Sequence, residues 1–76
     1  MSYPVGYIGI SDLAVGEEVE IKSGRGPFRL EATATVSRNL GGNSIYVRLV
    51  TISVKGENVS VLEGDEILAG ANEIYW

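Results

Sequence analysis

Between residues 28 and 38 apolar and polar side chains alternate without interruption. Phe28, Leu30, Ala32, Ala34 and Val36 fall on one parity, and Arg29, Glu31, Thr33, Thr35 and Ser37 on the other. Successive side chains of a strand point to opposite faces, so this pattern predicts a strand with one buried and one wet face. A shorter alternation, with Val19 and Ile21 inward and Glu18, Glu20 and Lys22 outward, predicts a strand over residues 17–23. A third spans residues 44–54. There Ile45, Val47 and Leu49 share one parity, opposite Tyr46 and Arg48, and from Val50 the apolar parity changes to Val50, Ile52 and Val54. Such a change of phase predicts a bulge or bend, or a second half buried on both faces.

Glycine-containing segments separate these runs: Gly24-Arg25-Gly26-Pro27, Asn39-Leu40-Gly41-Gly42-Asn43, Lys55-Gly56-Glu57-Asn58 and Ala69-Gly70-Ala71-Asn72. Each carries the residue types of a turn, and Pro27 is expected to hold Gly26 in an extended conformation. A four-residue loop at 39–42 would set Val36 beside Ile45, Ala34 beside Val47 and Ala32 beside Leu49, with Thr35 beside Tyr46 and Thr33 beside Arg48 on the other face. A slip of one residue would bury Tyr46 and Arg48, which the alternation forbids. Residues 59–62 and 73–76 read as two further short strands, and residues 11–16 as a single helical or 3₁₀ turn. Glu63-Gly64-Asp65-Glu66-Ile67 repeats in miniature Val15-Gly16-Glu17-Glu18-Val19, the mark of a recurring turn into a strand. Residues 1–10, broken by Pro4, Gly6 and Gly9, read as an edge strand or an arm.

These elements predict one all-β domain over residues 1–76: a small, strongly bent antiparallel barrel of five to six strands. SH3-like closure is the leading expectation, with an OB-like barrel or a small sandwich as alternatives. Residues 13–21, where a Gly turn precedes an apolar-alternating strand, resemble the opening of many SH3-like barrels. That likeness covers nine residues and is generic to a fold.

Composition narrows the means of stabilisation. A chain of 76 residues buries only about 60% of the surface it exposes when unfolded, so its margin is thin. With no Cys and no His, disulfides, thiolate metal sites and the commonest transition-metal ligand are excluded. Packing, sheet closure or self-association must supply stability, and no cofactor is expected. The first ten residues carry no positive charge, and no apolar run approaches the roughly 20 residues of a membrane span. The expectation is a soluble protein, cytoplasmic or particle-associated, with no signal peptide or transmembrane segment.

The net charge of −4 is unevenly spread: residues 1–21 carry −4, residues 22–48 carry +4 and residues 49–76 carry −4. Either the acidic flanks pack beside the basic centre and neutralise it, or the surface is dipolar and joins copies or receives an anion. Without His or Cys, catalysis would rest on carboxylates, Lys, Tyr or Ser, and the one tight carboxylate group, Glu63-Asp65-Glu66, lacks the ligand spacing of a Ca²⁺ loop. No enzyme is expected. A non-enzymatic protein-interaction or assembly module is, as an adaptor or as a structural subunit of a phage or other particle. Its partner would be a protein or a second copy, met through Tyr3, Tyr7, Tyr75 and Trp76, since Tyr and Trp dominate interface hot spots. The first alternative is a single-stranded nucleic-acid module using Lys22, Arg25, Arg29, Tyr46 and Arg48, a basic surface with an aromatic for stacking. The second is an acidic inhibitor of a nucleic-acid-binding enzyme. No membrane partner is expected.

Overall fold

The computed structural model describes residues 13–39 and 41–75. Five antiparallel strands form one sheet: β1 (Glu18–Ser23), β2 (Leu30–Arg38), β3 (Ser44–Lys55), β4 (Glu66–Gly70) and β5 (Ile74–Tyr75), in the order β4-β3-β2-β1-β5. The two edge strands are consecutive in the chain, joined only by a 3₁₀ turn, Ala71–Glu73. In a flat sheet of five strands the edges lie about 19 Å apart. The four residue steps from Gly70 to Ile74 reach at most about 14 Å. The sheet must therefore curl. The curl stops short of the expected barrel: among the described residues β4 pairs only with β3 and β5 only with β1, so the sheet is not closed. No helix among the described residues is long and apolar enough to cross a membrane.

The inner face is apolar and the outer face polar, as the alternation requires. Val19, Ile21, Leu30, Ala32, Ala34, Val36, Ile45, Val47, Leu49, Ala69 and Ile74 are buried, and Leu13 joins them from ahead of β1. On central strand β2, Ala34 lies between Val19 and Leu49, and Ala32 between Ile21 and Ile52. Small residues in the middle of a concave face leave room for larger ones from both neighbours, the complementarity that tight curvature needs.

The parity change in β3 is a bulge. Ala34 pairs with Leu49 and Thr33 with Thr51, so Val50 has no opposite number; a second irregularity passes over Ser53, and a third passes over Ser37 on β2. The second half of β3 is not buried on both faces: Val50, Thr51 and Ser53 are exposed. Val36 pairs with Val47, Ala34 with Leu49 and Thr35 with Arg48, a register two residues away from the expected one. A two-residue shift keeps every side chain on its face, which is why the alternation alone does not detect it.

The recurring turn is real in geometry as well as in sequence. Gly16 and Gly64 both adopt φ +94°. In the first turn Glu17 N–H donates to Ala14 O (3.1 Å) and the Glu17 carboxylate accepts from Ala14 N–H (3.1 Å). In the second, Asp65 N–H donates to Leu62 O (3.1 Å) and the Asp65 carboxylate accepts from Leu62 N–H (2.9 Å). Each glycine then donates to the neighbouring strand, Gly16 to Val36 O and Gly64 to Leu49 O, both at 2.8 Å. One device thus launches both β1 and β4. Residues 13–16 form this turn rather than a helical or 3₁₀ one, and residues 11 and 12 of that expectation lie outside the described residues.

Three expectations fail locally. Phe28 is not inward: a 3₁₀ turn over Gly26–Phe28, closed by Phe28 N–H to Arg25 O (3.1 Å) and Arg29 N–H to Gly26 O (3.2 Å), delays the strand to Leu30 and leaves Phe28 61% exposed. Gly26 sits at φ +60° rather than in an extended conformation. Residues 59–62 are not a strand. Ile52 N–H, which such a strand would have engaged, donates instead to the Glu63 carboxylate at 3.0 Å.

The turn at 24–28 is locked to the one at 56–59 by Gly56 N–H to Arg29 O (2.7 Å) and Asn58 N–H to Pro27 O (2.8 Å). A Cβ on Gly56 would run into the Pro27 carbonyl, whereas one on Gly64 would meet nothing. Gly56→Ala is therefore expected to destabilise through backbone displacement, by about 1–3 kcal/mol. Gly64→Ala carries the penalty of its positive φ alone, about 1 kcal/mol. Urea unfolding of both variants checks the order.

Candidate interaction surface

The outer face is organised around one carboxylate. β4 places Glu66 opposite Arg48 of β3, and Arg48 lies opposite Thr35 of β2. Glu66 accepts from Ser37 Oγ at 2.6 Å and from Arg38 Nη2 at 2.7 Å, and Arg48 Nη2 lies 3.9 Å away. Arg48 Nη1 also donates to Gly64 O at 2.9 Å. The bulge that skips Ser37 brings Ser37 and Arg38 to the same acid. The Ser37 hydrogen bond, then that of Arg38, holds the Glu66 carboxyl below the usual carboxylate range; the same carboxylate raises Arg38. An acidic flank thus neutralises the basic centre here, as one of the two charge readings expects.

The residues expected to contact an anion or nucleic acid are mostly engaged within the chain. Tyr46 and Arg48 share the outer face, but the Arg38 guanidinium covers the Tyr46 ring at 4.3 Å from its centroid. Arg29 is held by the Glu31 carboxylate through Nε (2.7 Å) and Nη2. Lys22 lies 3.9 Å from Glu20 and 5.0 Å from the Tyr75 ring centroid. Arg25 is exposed in the turn after β1, and with Lys55 it has no acidic partner among the described residues. A shallow, open depression of about 270 Å³ lies between Glu20, Lys22, Glu31, Thr33 and Ser53. Two carboxylates against one ammonium do not make an anion groove.

Of the aromatic residues expected at an interface, Tyr75 lies on edge strand β5, half-buried, paired with Glu20. Tyr3, Tyr7 and Trp76 lie outside the described residues. The carboxylates of Glu63, Asp65 and Glu66 diverge to Ile52 N–H, Leu62 N–H and the Ser37–Arg38 pair. Among the described residues no group of three or more His, Cys, Asp or Glu side chains could hold a metal ion.

A different set stands out once the sheet is built. Val15, Phe28, Val50, Leu62 and Leu68 are 47% to 66% exposed. Leu68 is the one on an edge strand, opposite Tyr46. Its position was readable: in the run Ile67-Leu68-Ala69, a strand that buries Ile67 and Ala69 must turn Leu68 outward.

Because the Glu66 carboxyl is held low in the folded chain, its contribution to stability is present above the ordinary carboxylate pKa of about 4.3 and is lost as pH falls through the lower folded value. Glu66→Gln lacks this term. Wild type is expected to be the more stable near neutral pH, with the two stabilities converging in acid; thermal unfolding from pH 7 down to pH 2 measures it. In comparisons with protein-family models, curated proteins and solved structures, the chain matches none.

Proposed function

We propose that this chain is a non-enzymatic protein-interaction module on an SH3-like frame. The frame is supported by the curl that the 3₁₀ link between edge strands imposes and by a strand order in which the chain's last two strands occupy opposite edges. The observation that carries the function is the set of large apolar side chains left in water. Val15, Phe28, Leu62 and Leu68 each expose more than half their surface, in a chain whose small core leaves little stability to spare. Exposed apolar side chains on a chain this small are surface that a protein partner would cover.

The nucleic-acid alternative loses support, because Arg29, Arg38, Arg48 and the Tyr46 ring already satisfy one another or nearby carboxylates. An acidic decoy is weakened likewise, since Glu31 and Glu66 are paired with arginines. A photoreactive amino acid replacing Phe28 or Leu62 is expected to cross-link in cells to a discrete protein, while one replacing Thr33 on the polar face gives no adduct. Identical patterns from all three positions, or none from any, would overturn the proposal. A labelled single-stranded oligonucleotide is expected to show no anisotropy change at low salt.

A further inference from the structure

The sheet of the described residues has two edges, β5 and β4. β4 is five residues, Glu66-Ile67-Leu68-Ala69-Gly70, with no Pro, Lys or bulge to blunt it. Its one charge, Glu66, is turned back over its own sheet to Ser37 and Arg38.

The hydrogen-bond phase of β4 shows which of its backbone groups face outward. Leu49 N–H donates to Asp65 O (2.9 Å) at one end of the ladder and Ala71 N–H to Asn43 O (3.1 Å) at the other. In an antiparallel pair, bonded and non-bonded residue pairs alternate. Between those ends, Val47–Ile67 and Ile45–Ala69 are therefore the bonded pairs, and Arg48–Glu66, Tyr46–Leu68 and Ser44–Gly70 the non-bonded ones. The N–H and C=O of Glu66, Leu68 and Gly70 point away from β3. Gly70 N–H is taken by the Glu73 carboxylate at 2.9 Å. The Gly70 carbonyl belongs to the 3₁₀ turn that follows, and no partner for the outward groups of Glu66 and Leu68 occurs among the described residues.

We infer that β4 is a self-pairing edge: two copies of this chain join antiparallel about a two-fold axis at Leu68, extending the sheet from one molecule into the next. The inference rests on the protein-interaction reading and names its partner. The strand suits itself in this register. Leu68 exchanges two N–H···O bonds with Leu68 of the second copy, and Glu66 of each copy lies opposite Gly70 of the other. On the outer face Leu68 meets Leu68, removing one of the most exposed apolar side chains from water. Glu66 stands beside Gly70, and its carboxylate is turned over its own sheet to Ser37 and Arg38. An isologous contact of this kind closes at two copies and does not propagate. Five residues a side bury less than a standard interface of about 1,600 Å², so the dimer is weak and forms at high concentration.

The chain has no Cys, which makes the test direct. Bonded residues on the axis have Cα atoms about 5.5 Å apart, within the range of a disulfide. Under mild oxidation Leu68→Cys is expected to form a covalent dimer at least ten times faster than Leu62→Cys, an equally exposed control. Sedimentation equilibrium of wild type up to millimolar concentration is expected to show monomer and dimer, with dissociation at least ten-fold weaker for Leu68→Lys. Equal cross-linking rates, a wild-type monomer throughout, or a dimer indifferent to Leu68→Lys would each overturn self-pairing. So would a photoreactive residue at position 68 that labels only a different protein. None of these outcomes touches the adducts at Phe28 and Leu62, so the broader proposal stands or falls separately.

Discussion

Three residues of 3₁₀ turn between β4 and β5 set the shape of this molecule. A link that short cannot span a flat five-stranded sheet, so the strands between its ends must curve, and the curvature makes its own demands. The concave side narrows over the central strand, which is where Ala32 and Ala34 stand with larger residues on either side. The long strand must bend, which is where Val50 and Ser53 drop out of register. Ile74, fully buried on a strand of two residues, holds the far end of the link against β1. With no cysteine to close the structure by a disulfide, this shape depends on alanines and bulges at the right places.

The outer face answers a second need. A basic β2–β3 hairpin lies beside acidic elements, and Glu66 collects Ser37, Arg38 and Arg48 from both of its strands. These contacts are largely wet and each contributes little to stability. Their larger effect is on what the surface can do. A guanidinium already paired with a carboxylate, or an aromatic ring already covered by one, offers less to a phosphate or a base than the same residue free. Among the described residues much of the dipolar pattern is thus spent within the chain, which leaves Arg25, Lys55 and the apolar groups at turns and at one edge exposed.

Much of this was written in the residue pattern, and the parts that were not share a cause. Alternation is a local property, so the faces of β1, β2 and β3 and the bulge at Val50 could be read directly, as could the twin turns at Gly16 and Gly64. Register across a loop is not local: the β2–β3 connection is longer than four residues, and with the bulge at Ser37 it leaves β2 two residues away from the expected pairing, a displacement invisible to parity. Side chains that replace backbone are equally hidden. The Glu63 carboxylate on Ile52 N–H removed an expected strand at 59–62, and the 3₁₀ turn at Pro27 turned Phe28 out of the core. The charge pairing was foreseeable only in outline, because Arg38 and Glu66 are 28 residues apart in sequence. Hence the anion-site candidates could be named, but not that partners had already claimed most of them.

The same short link leaves β4 and β5 as the two edges of the described sheet, and β4 is the longer of them. Common ways of guarding such an edge are a lysine, a proline or a bulge. β4 has none, and its single acid is committed to holding β2 and β3 together. Moving Glu66 outward to protect the edge would unpair Arg38 and Arg48 on the face behind it. The network that neutralises the hairpin and the open, leucine-bearing edge are therefore two consequences of one side-chain choice.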